Sequence, residues 1–483
     1  MAPRVDRRSI VVVAVALFVS YAYFYQAGGW NQNSRFALVR AILERHTLRI
    51  DAYQDQTGDR AYWRGHYYSD KAPGASLLAL LPVALAREAA EAVHVDPQGL
   101  PGIAWTSYVA TLATSSLFTV VAALAVFRLS LAWGYSRAAA LFAATAYGVA
   151  TPAWCYATLF MEHGLTAGCL MLAYEAADKL SGPRQEAHGP EWRVGFWIGL
   201  AVVCELQAII PATCIGVFAL LNIRDRNPRA WPRAVLRIAA GGIGLAVVLF
   251  LYNTRAFGGP FHVGYASEES FDQLQTGLFG VTYPSAWRLL QILFGRYRGL
   301  VPLAPLVLAT PIGLFAVARQ PEHRRAAAVA MTIAAFYFLW NASYYYWEGG
   351  WAYSPRQVMP ALPFLALGLA PCWDRAGRWT RPLLVTGWIW GAALTLVAVS
   401  TTPQPPAQVR WPMADLLWPA FRDGDLSLNN QTFVTLRADA GTLRGHPELH
   451  AAWNLGEVAG LHGRASLIPL GVVWVAAGAL LVL

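Results

Sequence analysis

Three aspartates in one polar stretch, residues 28–75, are the first candidates for chemistry. The stretch follows the first apolar segment and is too polar to lie in lipid. A general base that takes a proton from a hydroxyl group must be a carboxylate or a histidine within hydrogen-bond reach. Asp51, Asp59 and Asp70 are therefore the predicted catalytic residues, with His66 behind them. The alternative is that aspartates of this loop cap local helices and turns, a common role for the residue.

Three more ionisable residues lie in or beside apolar segments. Glu162 and His163 lie where two such segments meet, and Glu205 lies inside a third. A carboxylate at membrane depth is costly, so it is expected to be paired, protonated or functional. We predict that these residues orient a substrate. The alternatives are a hydrated, idle pair at 162–163 and an arginine-paired structural role for Glu205.

Basic residues in the predicted outer loops form another group. The positive-inside rule disfavours arginine on that side of a membrane, and guanidinium groups bind phosphate in a bidentate manner. The residues predicted to bind a phosphate are Lys71, Arg296, Arg298 and Arg356. Salt bridges to acids such as Glu268 and Glu348 are the alternative. Tyr68 belongs to a set of aromatics that either form an interfacial belt or stack on a sugar ring.

The composition indicates an integral membrane protein. Of the 483 residues, 56% are hydrophobic and 13% charged, whereas soluble proteins carry about 25% charged residues. The net charge of +9 is dispersed as arginine through short loops, which is typical of membrane orientation and not of nucleic-acid binding. The five cysteines lack metal-ligand spacing. We predict no cofactor and no metal cluster, with a divalent ion at the loop aspartates and His66 as the alternative.

Apolar segments of about 20 residues predict an all-α, polytopic bundle of about 12 transmembrane helices. They lie near 9–27, 104–127, 137–158, 163–180, 194–209, 210–223, 236–253, 299–318, 325–345, 357–373, 382–401 and 465–483.

Three units follow from this division of the chain. Residues 1–401 form a transmembrane domain that includes a first outer loop, 28–103. Residues 402–464 form an outer flap, and 465–483 the last helix. The stretch 76–100 is predicted to be interfacial or re-entrant, because its apolar part is short and is followed by acids and prolines.

Several segments occur in an order that is familiar from one family. They are SRFALVRAILERHTLRID, GHYYSDKAPG, FMEHG, YNTRAFGGPFHVGY, YRGLVPLAPL and WEGGWAYSPRQVMPALPFL. With these segments the chain resembles the bacterial polytopic glycosyltransferases of the GT-C superfamily, in particular those related to protein O-mannosyltransferases and aminoarabinose lipid A transferases. The first segment resembles their juxtamembrane helix. The second resembles the Lys-Pro-Pro or His-Pro-Pro type motif that closes the first outer loop.

The resemblance implies a cavity at the outer face of the bacterial inner membrane. It implies a sugar donor carried on a polyprenyl phosphate, and inverting transfer to a hydroxyl group of a lipid, glycan or protein acceptor. The predicted substrate-binding residues are Arg35, His66, Tyr68, Glu162, His163, Glu205 and Glu348. Membrane lipids, and no nucleic acid, are the other expected partners.

The chain departs from the family at one place. An acidic residue or pair usually precedes the arginine that matches Arg35, but here the residues are Asn31, Gln32 and Asn33. Asp51 or Asp59 supplies the base instead, or the protein has diverged or lost activity. Asp70 and Lys71 match the second motif, in which alanine replaces the first proline. A transporter or lipid flippase, and a catalytically silent binding subunit, are the alternative functions.

Overall fold

The computed structural model describes residues 7–181, 190–436 and 444–482. Each of the three predicted units has some residues outside these ranges. Within them the regular secondary structure is mainly helical, with four short strands.

The helices are, in chain order, α1 Arg7–Ala22, α2 Trp30–Arg45, α3 Gly74–Ala92, α4 Leu100–Thr111, α5 Leu117–Ala132, α6 Arg137–Val149, α7 Ala153–Ala157, α8 Glu162–Lys179, α9 Pro190–Cys204, α10 Ile209–Arg226, α11 Trp231–Phe257, α12 Ala286–Phe294, α13 Leu300–Leu303, α14 Thr310–Ala318, α15 Arg324–Ser343, α16 Leu362–Ala366, α17 Leu369–Asp374, α18 Thr380–Thr401, α19 Trp418–Asp423, α20 Leu455–Val458 and α21 Ile468–Val482. The strands are β1 Phe24–Tyr25, β2 Arg60–Trp63, β3 His66–Ser69 and β4 Trp453–Asn454.

Six helical stretches of the described chain are long and apolar enough to cross a bilayer. They are Leu100–Ala132, Leu206–Arg226, Pro228–Phe257, Arg324–Ser343, Thr380–Thr401 and Gly463–Leu481. The first is continuous because a π-helical turn, Leu112–Ser116, joins α4 to α5. A shorter apolar stretch covers Pro305–Ala318. The chain is a multi-pass membrane protein, and the predicted all-α class is confirmed.

Two predicted helix boundaries are wrong for physical reasons. The first helix ends at Ala22, not near residue 27, because Phe24 and Tyr25 pair with Asn454 and Trp453 in an antiparallel ladder. The turn between α9 and α10 lies at 205–208, not near Pro211. Pro211 lies in the first turn of α10, where its missing N–H breaks no helical hydrogen bond.

The first outer loop is built from ordered elements. Helix α2 packs against α3, and β2 pairs with β3 in register from Arg60–Ser69 to Trp63–His66. Arg64 and Gly65 close this hairpin with φ values of 49° and 85°, the conformation of a two-residue type I′ turn. Helix α3 ends at Ala92, and its interfacial placement stays a prediction. The hairpin leads directly into Asp70 and Lys71.

The described part of the 402–464 segment lies on the start of the chain. The Gln32 amide donates to Gln404 Oε1 at 2.6 Å, and the Asn429 amide donates to the carbonyl oxygens of Gln26 and Gly28 at 2.7 and 2.9 Å. Residues far apart in sequence therefore fix the position of α2. The division into three units stays a prediction.

Candidate active site

Two of the predicted catalytic aspartates meet at one lysine. Lys71 Nζ lies 2.7 Å from Asp70 Oδ2 and 2.9 Å from Asp59 Oδ2. All three side chains are at least nine-tenths buried. Asp70 Oδ1 also accepts a hydrogen bond from Ser34 Oγ at 3.2 Å, whereas Asp59 Oδ1 accepts none from the described residues. The Asp59–Asp70–Lys71 group therefore has one carboxylate oxygen available to a ligand.

This group contains two carboxyl groups and only one ammonium group. Burial raises the pKa of the Asp70 carboxyl; Lys71 opposes this effect and the Asp59 carboxylate adds to it. Burial alone would lower the pKa of Lys71, but the two carboxylates outweigh it and hold that pKa well above its usual range. Two acids thus share one permanently charged ammonium.

Arg356 lies within electrostatic range of this group. It interacts with the charges of Asp59 and Glu162, and its guanidinium makes no hydrogen bond to the described residues. The Tyr265 ring lies on another side of Lys71, with its centroid 5.5 Å from Nζ. The half-buried Arg356 is thus a cation whose donors remain available to an anion.

Arg35 links this group to α8. Its guanidinium contacts Glu162 at the first turn of that helix. Its Nε donates to Asn31 Oδ1 at 3.1 Å, and its Nη1 donates to the carbonyl oxygen of Ala72 at 3.3 Å. Arg35 is 1% exposed, so an uncompensated charge here would be costly. The arginine ties the start of α8 to the loop that carries Asp70.

The three amide residues that precede Ser34 and Arg35 have structural partners. The Asn33 amide donates to the carbonyl oxygens of Gln56 and Thr432 at 2.6 and 3.1 Å. Gln32 bonds to Gln404, and Asn31 bonds to Arg35. These three side chains therefore hold α2 in place.

Glu162, His163 and Glu205 lie together, and all three are buried. His163 Nδ1 is 3.4 Å from Glu205 Oε1, and the same oxygen accepts a hydrogen bond from the Gln207 amide at 2.6 Å. Glu205 lies at the break between α9 and α10. The three predicted substrate-orienting residues therefore form one cluster, which Glu162 connects to Arg35.

Other predicted site residues lie elsewhere. Asp51 accepts from the Tyr67 N–H at 2.6 Å and contacts His66 Nδ1 at 2.9 Å, so this pair braces the β2–β3 hairpin. Tyr68 is buried against Phe257, 5.3 Å between ring centroids. The structure does not bring these three predicted residues to Lys71.

The remaining predicted phosphate ligands differ from Arg356. Arg298 is 1% exposed and donates to the carbonyl oxygens of Glu348 and Pro405 at 3.1 and 3.4 Å; its Nε has no hydrogen-bond partner. Arg296 is exposed and lies 5.5 Å from the centre of the Trp411 ring. One oxygen of Glu348 is buried without a hydrogen bond. Arg298 thus positions two loops around the site.

The architecture matches solved membrane enzymes. ArnT from Cupriavidus metallidurans bound to undecaprenyl phosphate has a TM-score of 0.53 and 17% identity to this chain, over 86% of this chain and 68% of that one. The apo state of the same protein has a TM-score of 0.52 and 16% identity, over 86% of this chain and 67% of that one. The chain has the GT-C fold. The oligosaccharyltransferase of Archaeoglobus fulgidus in the apo form has a TM-score of 0.47 and 11% identity, over 91% of this chain and 62% of that one.

No protein-family model matches the sequence, and no curated protein matches it either. The resemblance carried by the six sequence segments agrees with the fold that the comparison with ArnT shows.

Two apolar cavities are present in this GT-C fold. One of about 420 Å³ lies between α12, α14 and α15; its lining includes Leu289, Phe294, Leu314, Met331 and Phe338. Its wall at Phe294 is two residues from Arg296. A larger one, about 600 Å³, lies between α14, α17 and α18, with Arg375 as its one charged lining residue. Its lining contains none of the predicted site residues.

Several residues of the site were not predicted from sequence. Ser34 and Tyr265 touch or flank the Asp70–Lys71 pair, and Gln207 bonds Glu205. Neutral polar residues of these types are common in loops, so composition does not select them. Two of the three lie in family-like segments, Ser34 next to Arg35 in the first and Tyr265 at the end of YNTRAFGGPFHVGY, and these positions are their sequence signal.

Proposed function

We propose that the chain is a membrane glycosyltransferase. It moves a sugar from a polyprenyl-phosphate donor to an acceptor hydroxyl group of a lipid, glycan or protein, with inversion. The observation that carries the proposal is the buried Asp59–Asp70–Lys71 group in the first loop of a GT-C fold, within electrostatic range of Arg356, whose guanidinium makes no hydrogen bond to the described residues. ArnT, whose structure holds undecaprenyl phosphate, has the same fold.

Lys71 and Arg356 would hold the donor phosphate. When the bond between the anomeric carbon and the phosphate oxygen breaks, its electron pair stays on the phosphate, and negative charge grows there. Cations that are already in place stabilise that charge without reorganisation. Arg298 would position the two loops that contain Glu348 and Pro405, and Arg296 would lie at the rim of the site. The 420 Å³ apolar cavity near Arg296 fits a hydrocarbon chain.

Asp59 would act as the general base. Its Oδ1 is unused, while its Oδ2 is fixed by Lys71. The acceptor hydroxyl gives its proton to Asp59 as its oxygen attacks the anomeric carbon from the face opposite the phosphate, which inverts that carbon. Asp70, with both oxygens engaged, would position Lys71. Glu162, His163 and Glu205 would orient the sugar or the acceptor.

We further propose that the site faces the outside of a bacterial inner membrane. Short loops at the ends of α10, α14 and α17, opposite the site, carry the basic residues Arg224, Arg226, Arg319, Arg324, Arg325, Arg375 and Arg378. Arginine-rich short loops remain on the cytoplasmic side. The substrate would therefore approach from the periplasm.

The test is release of polyprenyl phosphate from labelled donors by the purified full-length chain in nanodiscs. A panel of polyprenyl-phosphate sugars should include one that is consumed in the presence of membrane extract as the acceptor source. Arg356→Gln should lower the rate about 10²- to 10³-fold, the effect of removing one charge-stabilising donor. Binding of polyprenyl phosphate without consumption of any donor would instead identify a silent binding subunit and overturn the proposal.

A further inference from the structure

The larger of the two apolar cavities is a groove between α14, α17 and α18 with one charged end. Its volume of about 600 Å³ falls within the range of about 300–1,000 Å³ that is usual for small-molecule sites. Arg375, directly after α17, and Thr380, at the start of α18, lie at one end. At the other end, Gly387 of α18 lies against Leu306. The groove is therefore apolar along its length and cationic where α17 leads into α18.

The groove opens to the surface of the bundle that faces lipid. Leu308, Ile312 and Leu383 line it and are 54%, 69% and 69% exposed. On the apolar helices of a membrane protein, side chains exposed in this way contact hydrocarbon. A lipid can therefore enter the groove sideways from the bilayer.

Arginine and tryptophan side chains surround the charged end. Arg378 lies between α17 and α18, and Arg381 lies in the first turn of α18. The guanidinium carbons of Arg378 and Arg381 lie 4.8 and 5.3 Å from the ring centres of Trp379 and Trp373, respectively. Trp379 is 73% exposed, and tryptophan beside arginine is typical of the headgroup level of a membrane. The charged end therefore lies at the interface, and the rest of the groove extends into the hydrocarbon.

The groove is short enough to lie within one leaflet. Thr380 and Gly387 are seven positions apart on α18, which is about 10 Å at the rise of an α-helix. The hydrocarbon of one leaflet is about 15 Å deep, half the thickness of the bilayer core. In the orientation proposed above, this is the cytoplasmic leaflet.

The arginines at the charged end have no acidic partner among the described residues. Asp374, the acid nearest to them in sequence, is engaged by α6: it accepts hydrogen bonds from the Ser136 N–H at 2.7 Å and from the Ser136 hydroxyl group. The first turn of α18 contains no acidic residue and adds the positive end of a helix dipole. Arg375, Arg378 and Arg381 thus present their charge to an anion from outside the chain.

We propose that the groove binds one anionic phospholipid, with its phosphate at Arg375 and an acyl chain between α14 and α18. Guanidinium groups suit phosphate, and basic pockets between membrane helices bind anionic head groups. A zwitterionic lipid carries its own ammonium group beside the phosphate, so it gains less from the arginines. Polyprenyl phosphate bound here would leave its phosphate away from Lys71 and Arg356, which do not line the groove. The site rests on its own residues and does not depend on sugar transfer.

The experiment counts the lipids that stay bound to the purified full-length protein. After delipidation, the protein is incubated with equal amounts of phosphatidylglycerol and phosphatidylcholine with the same acyl chains. Native mass spectrometry should find one phosphatidylglycerol retained at least about fivefold over phosphatidylcholine, the preference expected from one arginine near a lipid surface. Arg375→Gln should reduce this preference about fivefold. Ala316→Trp, which places an indole in the groove that Ala316 lines, should abolish retention.

Two matched control variants lie on α11, outside the lining of the groove. Arg233→Gln removes an exposed arginine from the first turn of α11, and Ala240→Trp adds an indole to an exposed position of the same helix. Both should retain phosphatidylglycerol as the wild type does. Equal retention of the two lipids by the wild type, or equal losses in the groove and control variants, would overturn the proposal. Displacement of phosphatidylglycerol by an equal amount of polyprenyl phosphate would assign the groove to that lipid and overturn it as well.

Cross-linking on the wild type covers the case in which a variant does not fold. Phosphatidylglycerol with a photoreactive group on its acyl chain should label peptides that contain residues 305–316 or 380–387. Labels confined to other helices would contradict the proposed site.

Discussion

At the scale of single residues, the site depends on one ammonium that serves two acids. Lys71 lies within 2.9 Å of both Asp59 and Asp70, in a place that water hardly reaches. An uncompensated buried charge is far more costly than a paired one. The stability of the loop and the position of the proposed base therefore rest on the same side chain.

Replacing Lys71 with methionine should destabilise the protein strongly. Two carboxylates would remain buried without their cation, and loss of one partner of a buried pair costs about 3–5 kcal/mol. Thermal unfolding in detergent checks this result. Lys179→Met is the control: its side chain is 66% exposed and pairs with Glu175 on the same helix, a contact worth at most about 1 kcal/mol. Equal shifts in Tm for the two variants would contradict the account.

Sequence alone selected Asp59, Asp70 and Lys71 by residue type, and Asp70 and Lys71 also by their place in a family-like motif. It could not separate them from Asp51, which belongs to the same loop but pairs with His66 on the hairpin. The pocket formed by residues 162, 163 and 205 was predicted as residues but not as a cluster. Such differences arise from tertiary distances, which residue spacing within a loop does not contain.

At the scale of elements, α2 is the platform of the site, and a buried carboxylate fixes its end. Glu44 accepts hydrogen bonds from Arg40 at 3.1 Å, from Tyr53 at 2.8 Å and from Arg87 of α3 at 2.5 Å. Burial would raise the pKa of Glu44, but these partners outweigh it and hold that pKa below its usual value. One side chain therefore joins α2, the following loop and α3.

Glu44→Gln should loosen this joint in a pH-dependent way. The pKa is lower in the folded than in the unfolded state, so the stabilisation is complete above the unfolded value of about 4.3. It is lost as the pH falls through the folded value. The variant should have a lower Tm than the wild type at pH 7, and the difference should shrink below about pH 4. Glu88→Gln, an exposed site on α3, should match the wild type throughout; a constant Glu44→Gln deficit at all pH values would contradict the assignment.

Most helices could be predicted because runs of apolar residues have few other solutions. The ends of some helices could not be predicted, because contacts with residues distant in sequence determine where those helices end. Helix α1 ends early because β1 pairs with β4, more than 400 residues later in the chain. The break at Glu205 was equally hidden, since its flanking sequence is apolar on both sides and contains no glycine or proline at the break.

At the scale of the whole molecule, the short loops that follow α10, α14 and α17 carry clustered arginines, whereas the predicted catalytic aspartates lie in the long first loop. The family-like segments predicted the GT-C fold correctly from their order along the chain. They did not predict that the 402–436 region contacts α2 through Gln404 and the residues before α2 through Asn429, because that segment lacks a periodic pattern.

The proposed orientation can be measured in intact cells. A cysteine at Asp55, whose side chain is 94% exposed, should react with a membrane-impermeant maleimide from outside. A cysteine at Arg378, exposed after α17, should react only after permeabilisation. The native cysteines are buried or half-buried, so the unsubstituted protein gives the background. Labelling of the Arg378 position alone in intact cells would reverse the orientation.

The most direct test of the central claim is single-turnover transfer by Asp59→Asn compared with Asp55→Asn. Both variants neutralise an aspartate of the same loop, but only Asp59 contacts Lys71. Once a donor is identified, loss of the general base should lower the rate of transfer about 10²- to 10⁴-fold without loss of donor binding, while Asp55→Asn transfers at the wild-type rate. Wild-type rates in both variants would contradict the account.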